Sequence, residues 1–451
     1  MTQCSQQQFE FAGQSRKVVA EFSGGTMSSD GGALLLRETD EKLNLVARLS
    51  QCFGDGRNQA LVEHSVEQML RQRVYALALG YEDLNDHDQL RHDPLLATLA
   101  GKADPESDAM ASKSTLNRME LGNGMPDRYK KIHFWREGMD DLLIDVFLEA
   151  HSTPPQEIIL DVDTTDFALH GKQEDRFFHG YYGHYCYLPL FVFCGDHVLC
   201  ARLRPSNIGP AVGCRKEIQR IVERIRAQWA TVRIILRADS GFCTDELMSW
   251  CEQHGVDFVF GMARNSRLVN LVAEALAQAQ QQFEATGKPA RVFVEFAHET
   301  VSGTWSQQRR VVAKAEHIDG KSNPRFVVTS LPADHWPKQE LYERTYCARG
   351  DMENRIKEQF VLFADRVSAS TLRANQLRLY LAVIGYTLMS GLRRIGLRAT
   401  AMATAQVGTI RLKLFKIAAL VRITVRKVWI RMATSYPDQA LFSRVLHQLR
   451  Q

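Results

Sequence analysis

Asp161 and Asp163 close the apolar run Ile158–Asp163. In the strand this run predicts, they share a face with Ile159, while Ile158, Leu160 and Val162 take the other. A carboxylate at the end of a hydrophobic strand is costly unless a cation meets it. A second apolar run, Val232–Ala238, ends in the same way at Asp239-Ser240-Gly241-Phe242. A third acid lies on a helical stripe: Tyr346, Arg349, Glu353, Lys357 and Phe360 recur at intervals of 3, 4, 4 and 3. Singly, each feature has a plain structural reading. Strand-end acids cap turns, and Glu353 with Lys357 is an ordinary i,i+4 pair. Together, three carboxylates in one cleft repel, and divalent cations that prefer oxygen ligands remove the repulsion. Two Mg²⁺ ions about 3.5–4 Å apart can stabilise both the attacking and the leaving oxygen of phosphoryl transfer. Mn²⁺ is expected to substitute. Asp163, Asp239 and Glu353 are the candidate metal ligands, and Asp161 competes with Asp163 for the first place.

Such a site needs a sheet whose strand ends converge. Residues 1–150 read as a helical region, with a short strand at Lys17–Phe22 and helical patterns at Ala33–Cys52, Val62–Leu79, Asp86–Ala100 and Pro126–Ala150. Ser112–Arg118 is a short basic helix of the kind that can enter a DNA groove. His151-Ser-Thr-Pro-Pro155 marks a boundary. Beyond it come strands at Ile158–Asp163, Tyr182–Phe193 and His197–Arg204, the last two joined through Gly195-Asp196. A helix follows at Arg215–Trp229, then the strand Val232–Ala238, a helix capped by Thr244, a strand Asp257–Gly261 and a helix Asn265–Thr286. Three strands, helix, strand, helix, strand is the order of a ribonuclease-H-like α/β core, in which the first and fourth strands are parallel neighbours. Strands within 291–335 predict a β-rich insertion. Residues 336–369 carry the third acid, and 370–451 read as helices at Thr371–Ile395, Thr404–Met432 and from Pro437.

Composition bounds the partners. From Ser370 to Gln451 there are 14 Lys/Arg and one acid, so the remainder holds 56 − 14 = 42 bases against 52 − 1 = 51 acids. A mildly acidic body with a basic tail is the footprint of a polyanion, most simply nucleic acid. Within that tail Arg411, Lys413, Lys416, Arg422, Arg426 and Lys427 are candidate phosphate contacts on helices. Nine cysteines without a CxxC pair argue against a zinc ribbon or disulfide framework and for a reducing compartment. No apolar run is long enough to span a bilayer, and the polar N-terminus lacks a signal-peptide core. His170, His179 and His184 lack the carboxylate spacing of metal ligands, and Ser240 has no base arranged for a serine hydrolase.

Asp163-Thr-Thr, Asp239-Ser-Gly-Phe and Tyr346-x2-Arg349-x3-Glu353 resemble the DDE transposases of bacterial insertion sequences, and most closely the family numbered thirteen-eighty. His179-Gly-Tyr-Tyr-Gly183 through Leu190, and Glu353-Asn-Arg-Ile-Lys-Glu358, share that likeness, which runs from about Gly31 to the basic tail. The resemblance implies a ribonuclease-H-like core, a metal-binding triad at Asp163, Asp239 and Glu353, and phosphate contacts from Tyr346 and Arg349. In the wider signature group a lysine stands where this chain has Phe360. Lys357, one turn earlier, keeps the same helical face. Trp305 and Trp336 are candidates to stack on a flipped base, against the plainer reading of a small core.

The expected activity is therefore cleavage at the terminal inverted repeats of the element, followed by joining of the 3′ ends to target DNA. A homodimer pairing two ends, a cytoplasmic, nucleoid-associated location, and no covalent intermediate or ATP go with it. The alternatives are an inactive DNA-binding relative and a ribonuclease-H-like nuclease without strand transfer.

Overall fold

The computed structural model describes residues 7–12, 16–106, 108–122, 128–300, 303–318 and 320–451. The chain divides into two units, Trp135–Val383 and Met1–Phe134 with Ile384–Gln451.

The first of these units is built on a mixed sheet, nine-stranded among the described residues. Its strands are β1 (Glu157–Thr164), β2 (Leu190–Cys194), β3 (His197–Arg202), β4 (Arg233–Ala238), β5 (Asp257–Met262), β6 (Ala290–His298), β7 (Arg309–Ile318) and β8 (Arg325–Thr329), with Lys321–Ser322 pairing to β7. The spatial order is β3-β2-β1-β4-β5-β8-β7-β6. β1, β2 and β3 run antiparallel, and Gly195-Asp196 turns the predicted hairpin, Gly195 taking a positive φ of 57°. β1 and β4 are parallel neighbours, as are β4 and β5. The sequence order required that arrangement.

Alternation decides the layers. Ile158, Leu160 and Val162 of β1, with Ile234 and Leu236 of β4, bury one face against α1 (Arg136–Glu149), α2 (Cys214–Gln228) and α3 (Asp245–Gln253). On the opposite face Ile159, Ile235 and Val259 pack with Val312, Val327, Leu341 and Tyr342. The strands of the expected β-rich insertion extend this sheet: β8 pairs antiparallel with β5 and covers what would be an open edge. The predicted strand Tyr182–Phe193 breaks in two. His184–Tyr187 pairs with Phe177–His179 and Phe167–Ala168 in a small separate sheet.

In the other unit, Val66–Leu79 is the best-defined helix, with a capping box between Ser65 and Gln68 and a stop at Gly80. Lys113–Glu120 is capped by Ser112, as predicted. Asn44, at a φ of 48°, breaks the predicted helix Ala33–Cys52 in two. The helical reading of 1–150 also gives way at Phe53–Asp55, which pairs with Ile132–Phe134. The helix expected from Pro126 begins only at Arg136; Pro126 itself lies outside the described residues, as does Cys4.

The larger correction concerns Thr404–Met432, which was expected to be helical. A short helix Val407–Ile410 runs into a π turn Arg411–Phe415, and then Ala419–Thr424 and Lys427–Met432 form a hairpin. The reason lies in residue type: Val421, Ile423, Val428 and Ile430 are β-branched and alternate with the more exposed Arg422, Thr424, Trp429 and Arg431, so a period of two prevails over one of 3.6.

Candidate active site

Parallel pairing of β1 with β4 sets Asp161 beside Arg237. The next outward-facing pair along the same two strands is Asp163 and Asp239. Ile159 and Ile235 occupy the same face one step earlier, so the apolar floor gives way to an ion pair and then to two acids.

Both carboxylate oxygens of Asp161 are engaged by an arginine. Arg237 donates Nε and Nη2 to its two oxygens at 2.5 and 2.7 Å, and both residues are buried. Arg237 also donates Nη1 to the Thr345 carbonyl, tying the sheet to the segment that carries the third acid. Asp161 is thus engaged on both oxygens, whereas Asp163 gives only one of its oxygens to an arginine. Arg237 was hidden in a strand read as apolar. Its signal was its place two residues before Asp239, matching Asp161 two before Asp163.

Asp163 is partly buried. Its Oδ1 accepts the Thr164 amide at 2.8 Å, and its Oδ2 accepts Arg349 Nη1 at 2.9 Å. Burial pushes its carboxyl up to about 6; the Asp239 charge adds to the rise, and Arg349 opposes it. Asp239 caps the short 3₁₀ turn Ser240–Phe242 through a 2.9 Å bond from the Gly241 amide.

The third segment is not one uniform helix. Leu341–Tyr346 is a π turn, Cys347–Arg349 a 3₁₀ turn, and α4 (Gly350–Val361) an α-helix. Three-residue periodicity over the 3₁₀ turn sets Arg349 under Tyr346, and the α-helix brings Glu353 into line. Arg349 Nη2 binds Glu353 Oε1 at 2.9 Å, so one guanidinium bridges Asp163 and Glu353. Burial weakens its charge, but Asp163, Tyr346, Glu353 and Asp239 outweigh this and hold Arg349 above its usual range. Burial also pushes the Tyr346 phenol up, Asp239 adding to the effect. That phenol lies over Gly261 of β5, where a Cβ would collide with the hydroxyl and stand 3.0 Å from the Ser240 amide nitrogen. Gly261 is a site residue that sequence reading missed, because its partner lies far along the chain.

The acids of this cleft offer oxygen donors, which suit hard divalent cations, and the Arg349 guanidinium lies between two of them. Asp163, lifted to about 6 by burial and by the neighbouring Asp239 charge, is what such a cation would relieve. No group of three His, Cys, Asp or Glu side chains is drawn tightly enough to hold one ion among the described residues, and Glu353 reaches Asp163 only through Arg349.

Lys357 is exposed on α4 with no carboxylate in ion-pair reach among the described residues, and Phe360 packs on Phe167 at 5.9 Å. Trp305 lies against Arg309 and His298 and packs on the main core, and Trp336 lies against Arg233 and packs on the core of the opposite sheet face. Two of the expected phosphate contacts are structural. Arg411 donates to the carbonyls of Ala78 and Leu77 at 2.9 and 3.2 Å, closing the end of Val66–Leu79. Lys416 meets the buried Asp30 at 2.6 Å and lies over Tyr81. Lys413, Arg422, Arg426 and Lys427 are exposed without a carboxylate partner among the described residues, the last three on the hairpin 419–432.

Comparison with solved structures finds the piggyBac transposase synaptic complex with hairpin DNA. The likeness has a TM-score of 0.39 at 10% identity and covers 85% of this chain and 80% of that one. No curated protein matches. The family model described as "Transposase DDE domain group 1" matches residues 11–451, the span that carries Asp163, Asp239 and Glu353, and the chain therefore belongs to the DDE transposase family.

Proposed function

We propose that the protein is the transposase of a bacterial insertion sequence, cutting at the element's terminal inverted repeats and joining the freed 3′ ends to target DNA. The observation that carries this reading is the placement of Asp163 and Asp239 at the ends of parallel neighbouring strands, with Arg349 joining Asp163 to Glu353. Such a pattern is expected of a ribonuclease-H-like core. Divalent cations, two in this reading, would supply Lewis-acid stabilisation of the reacting phosphate and activation of the attacking oxygen. Asp163, Asp239 and Glu353 would hold them. Arg349 would exchange its carboxylate contacts for phosphate oxygens, and Tyr346 would donate its hydroxyl to the same strand. Lys357, on the same helical face, would grip the neighbouring phosphate.

Lys413, Arg422, Arg426 and Lys427 would hold DNA through charge, which binds without reading sequence. A homodimer pairing two ends is the expected working form, in the bacterial cytoplasm and on the nucleoid. No helix among the described residues is long and apolar enough to cross a membrane.

The test is a plasmid carrying the gene between its native flanking sequences, incubated with purified protein and Mg²⁺ or Mn²⁺. Nicked ends and joined products are expected with the wild type, and neither with Asp239→Asn. Nicking without joining would favour a nuclease. Binding without reaction would favour an inactive relative, and an active Asp239→Asn protein would overturn the site.

A further inference from the structure

Just past Asp163 the chain enters the small sheet of Phe167–Ala168, Phe177–His179 and His184–Tyr187. Its inner side is well built: Cys186 and Tyr187 are fully buried, and the Tyr187 hydroxyl donates to the Glu174 carbonyl at 2.5 Å. Its outer side is not covered. Phe178 is 58% exposed, Tyr185 42% and Tyr181, at the tip, 87%. Phe178 and Tyr185 are cross-strand partners with rings edge-to-face at 5.7 Å, and the Arg176 guanidinium lies 4.4 Å from the Tyr185 ring centre. Rings continue inward from the tip: Tyr181 meets Tyr182 at 5.1 Å, and Tyr182 meets His179 at 4.9 Å. His184 closes the chain through a 2.8 Å bond to Asp166, three residues from Asp163. Gly180 and Gly183 flank the two tip tyrosines with no heavy atom near the position of a Cβ, so the backbone there is open to close approach.

Exposed aromatics in paired strands are unusual unless something lies on them. Phosphates alone do not account for the patch: between Phe167 and Tyr187, Lys172 and Arg176 are balanced by Glu174 and Asp175. Trp305 and Trp336 are engaged in cores, whereas the rings of this hairpin are open to solvent. Tyr182, in the same run of rings, feels the charges of Asp166 and Asp163, and Arg176 supplies a guanidinium over Tyr185. A flat, weakly polar partner that accompanies a phosphodiester to Asp163 is a nucleobase.

We propose that the hairpin 177–187 is a base-stacking platform on which Phe178, Tyr181 and Tyr185 receive unpaired bases of the DNA strand engaged at the active site. The platform rests on the transposase reading for its strand, and its test separates the two. Full-length protein without divalent metal is titrated with fluorescein-labelled oligothymidylate and with a duplex of equal length. Phe178→Ala and Tyr181→Ala are expected to weaken single-strand binding about tenfold each, because stacking is the interaction removed. Duplex binding should stay near wild type. Tyr181→Phe should restore the affinity, since the ring and not the hydroxyl does the stacking. Unchanged melting temperatures will show that these exposed substitutions leave the fold intact. Equal loss on both probes, or no loss, overturns the platform. So does a change in oligomeric state measured by light scattering, which would make the patch a contact between copies. If Asp239→Asn stops cleavage while the alanine variants bind and cut normally, the platform falls and the transposase reading stands. If ring-dependent single-strand binding persists without Asp239-dependent cleavage, the platform stands and the transposase reading falls.

Discussion

Both oxygens of Asp161 are occupied by Arg237, and the pair is buried, so removing one partner strands a charge in the interior. Asp161→Ala is expected to cost about 3–5 kcal/mol in urea unfolding, the range for a broken buried pair. Asp163→Asn should leave the urea midpoint close to wild type and abolish cleavage. Equal destabilisation by both would erase the distinction between structural and reacting acid. Gly261→Ala forces the Tyr346 hydroxyl out of place and should cost about 1–3 kcal/mol, as overpacking does. Adding Tyr346→Phe removes the colliding atom, so the double variant should recover stability in a double-mutant cycle. Additive losses would show that Tyr346 and Gly261 do not meet. The strand-end acids were legible because alternation alone places Asp161 and Asp163 on one face. Gly261 was not, since nothing local to a strand glycine announces a phenol from 85 residues onward, 346 − 261. Arg237 lay between these cases, readable only after the parallel register was known.

The hairpin 419–432 shows how an element can be misread while its chemistry survives. Leu412, Phe415, Ile417, Leu420, Val421 and Val425 suggest a helical segment packed on the core, but the β-branched positions after Ala419 favour a strand, and Leu412 and Val425 are exposed. Arg422, Arg426 and Lys427 face solvent, whereas Arg411 closes a helix end and Lys416 neutralises a buried Asp30. Arg422→Ala and Lys427→Ala should each flatten the logarithmic salt dependence of DNA binding by about one unit. Lys416→Ala should lower the melting temperature and leave that slope unchanged. An unchanged slope in the hairpin variants would remove it from the DNA surface. At the helix Val66–Leu79, Gln72 Nε2 lies 3.0 Å from Nδ1 of the buried His87, and burial pushes that imidazole down to about 3. An unfolded histidine titrates near its ordinary value of about 6.5, so the unfolded chain binds more protons between those values. The contribution is complete above about pH 6.5 and is lost as pH falls toward 3. His87→Gln should flatten stability against pH in that window, measured by urea midpoints. The same steepness in the variant would assign the acid sensitivity to other groups.

Over the whole chain, the order three strands, helix, strand, helix, strand was readable because each apolar run ended at a turn residue. The extension of the sheet was not, because a strand's partner is set by which edge would otherwise be open. β8 takes the edge of β5, and β7 and β6 follow. Pairing over such distances is slow to form, because loop-closure entropy is met before the contacts exist. The ion pair between Arg349 and Asp163 spans 186 residues of chain. On the ribosome this has a temporal meaning. Asp163 and Asp239 emerge first, and the segment with Tyr346, Arg349 and Glu353 leaves the exit tunnel many seconds later at ordinary rates of synthesis. A nascent chain therefore carries the two strand-end aspartates without their arginine bridge throughout the interval in which it is most exposed, and premature termination between residues 240 and 340 yields a product that holds Asp163 and Asp239 but lacks Glu353.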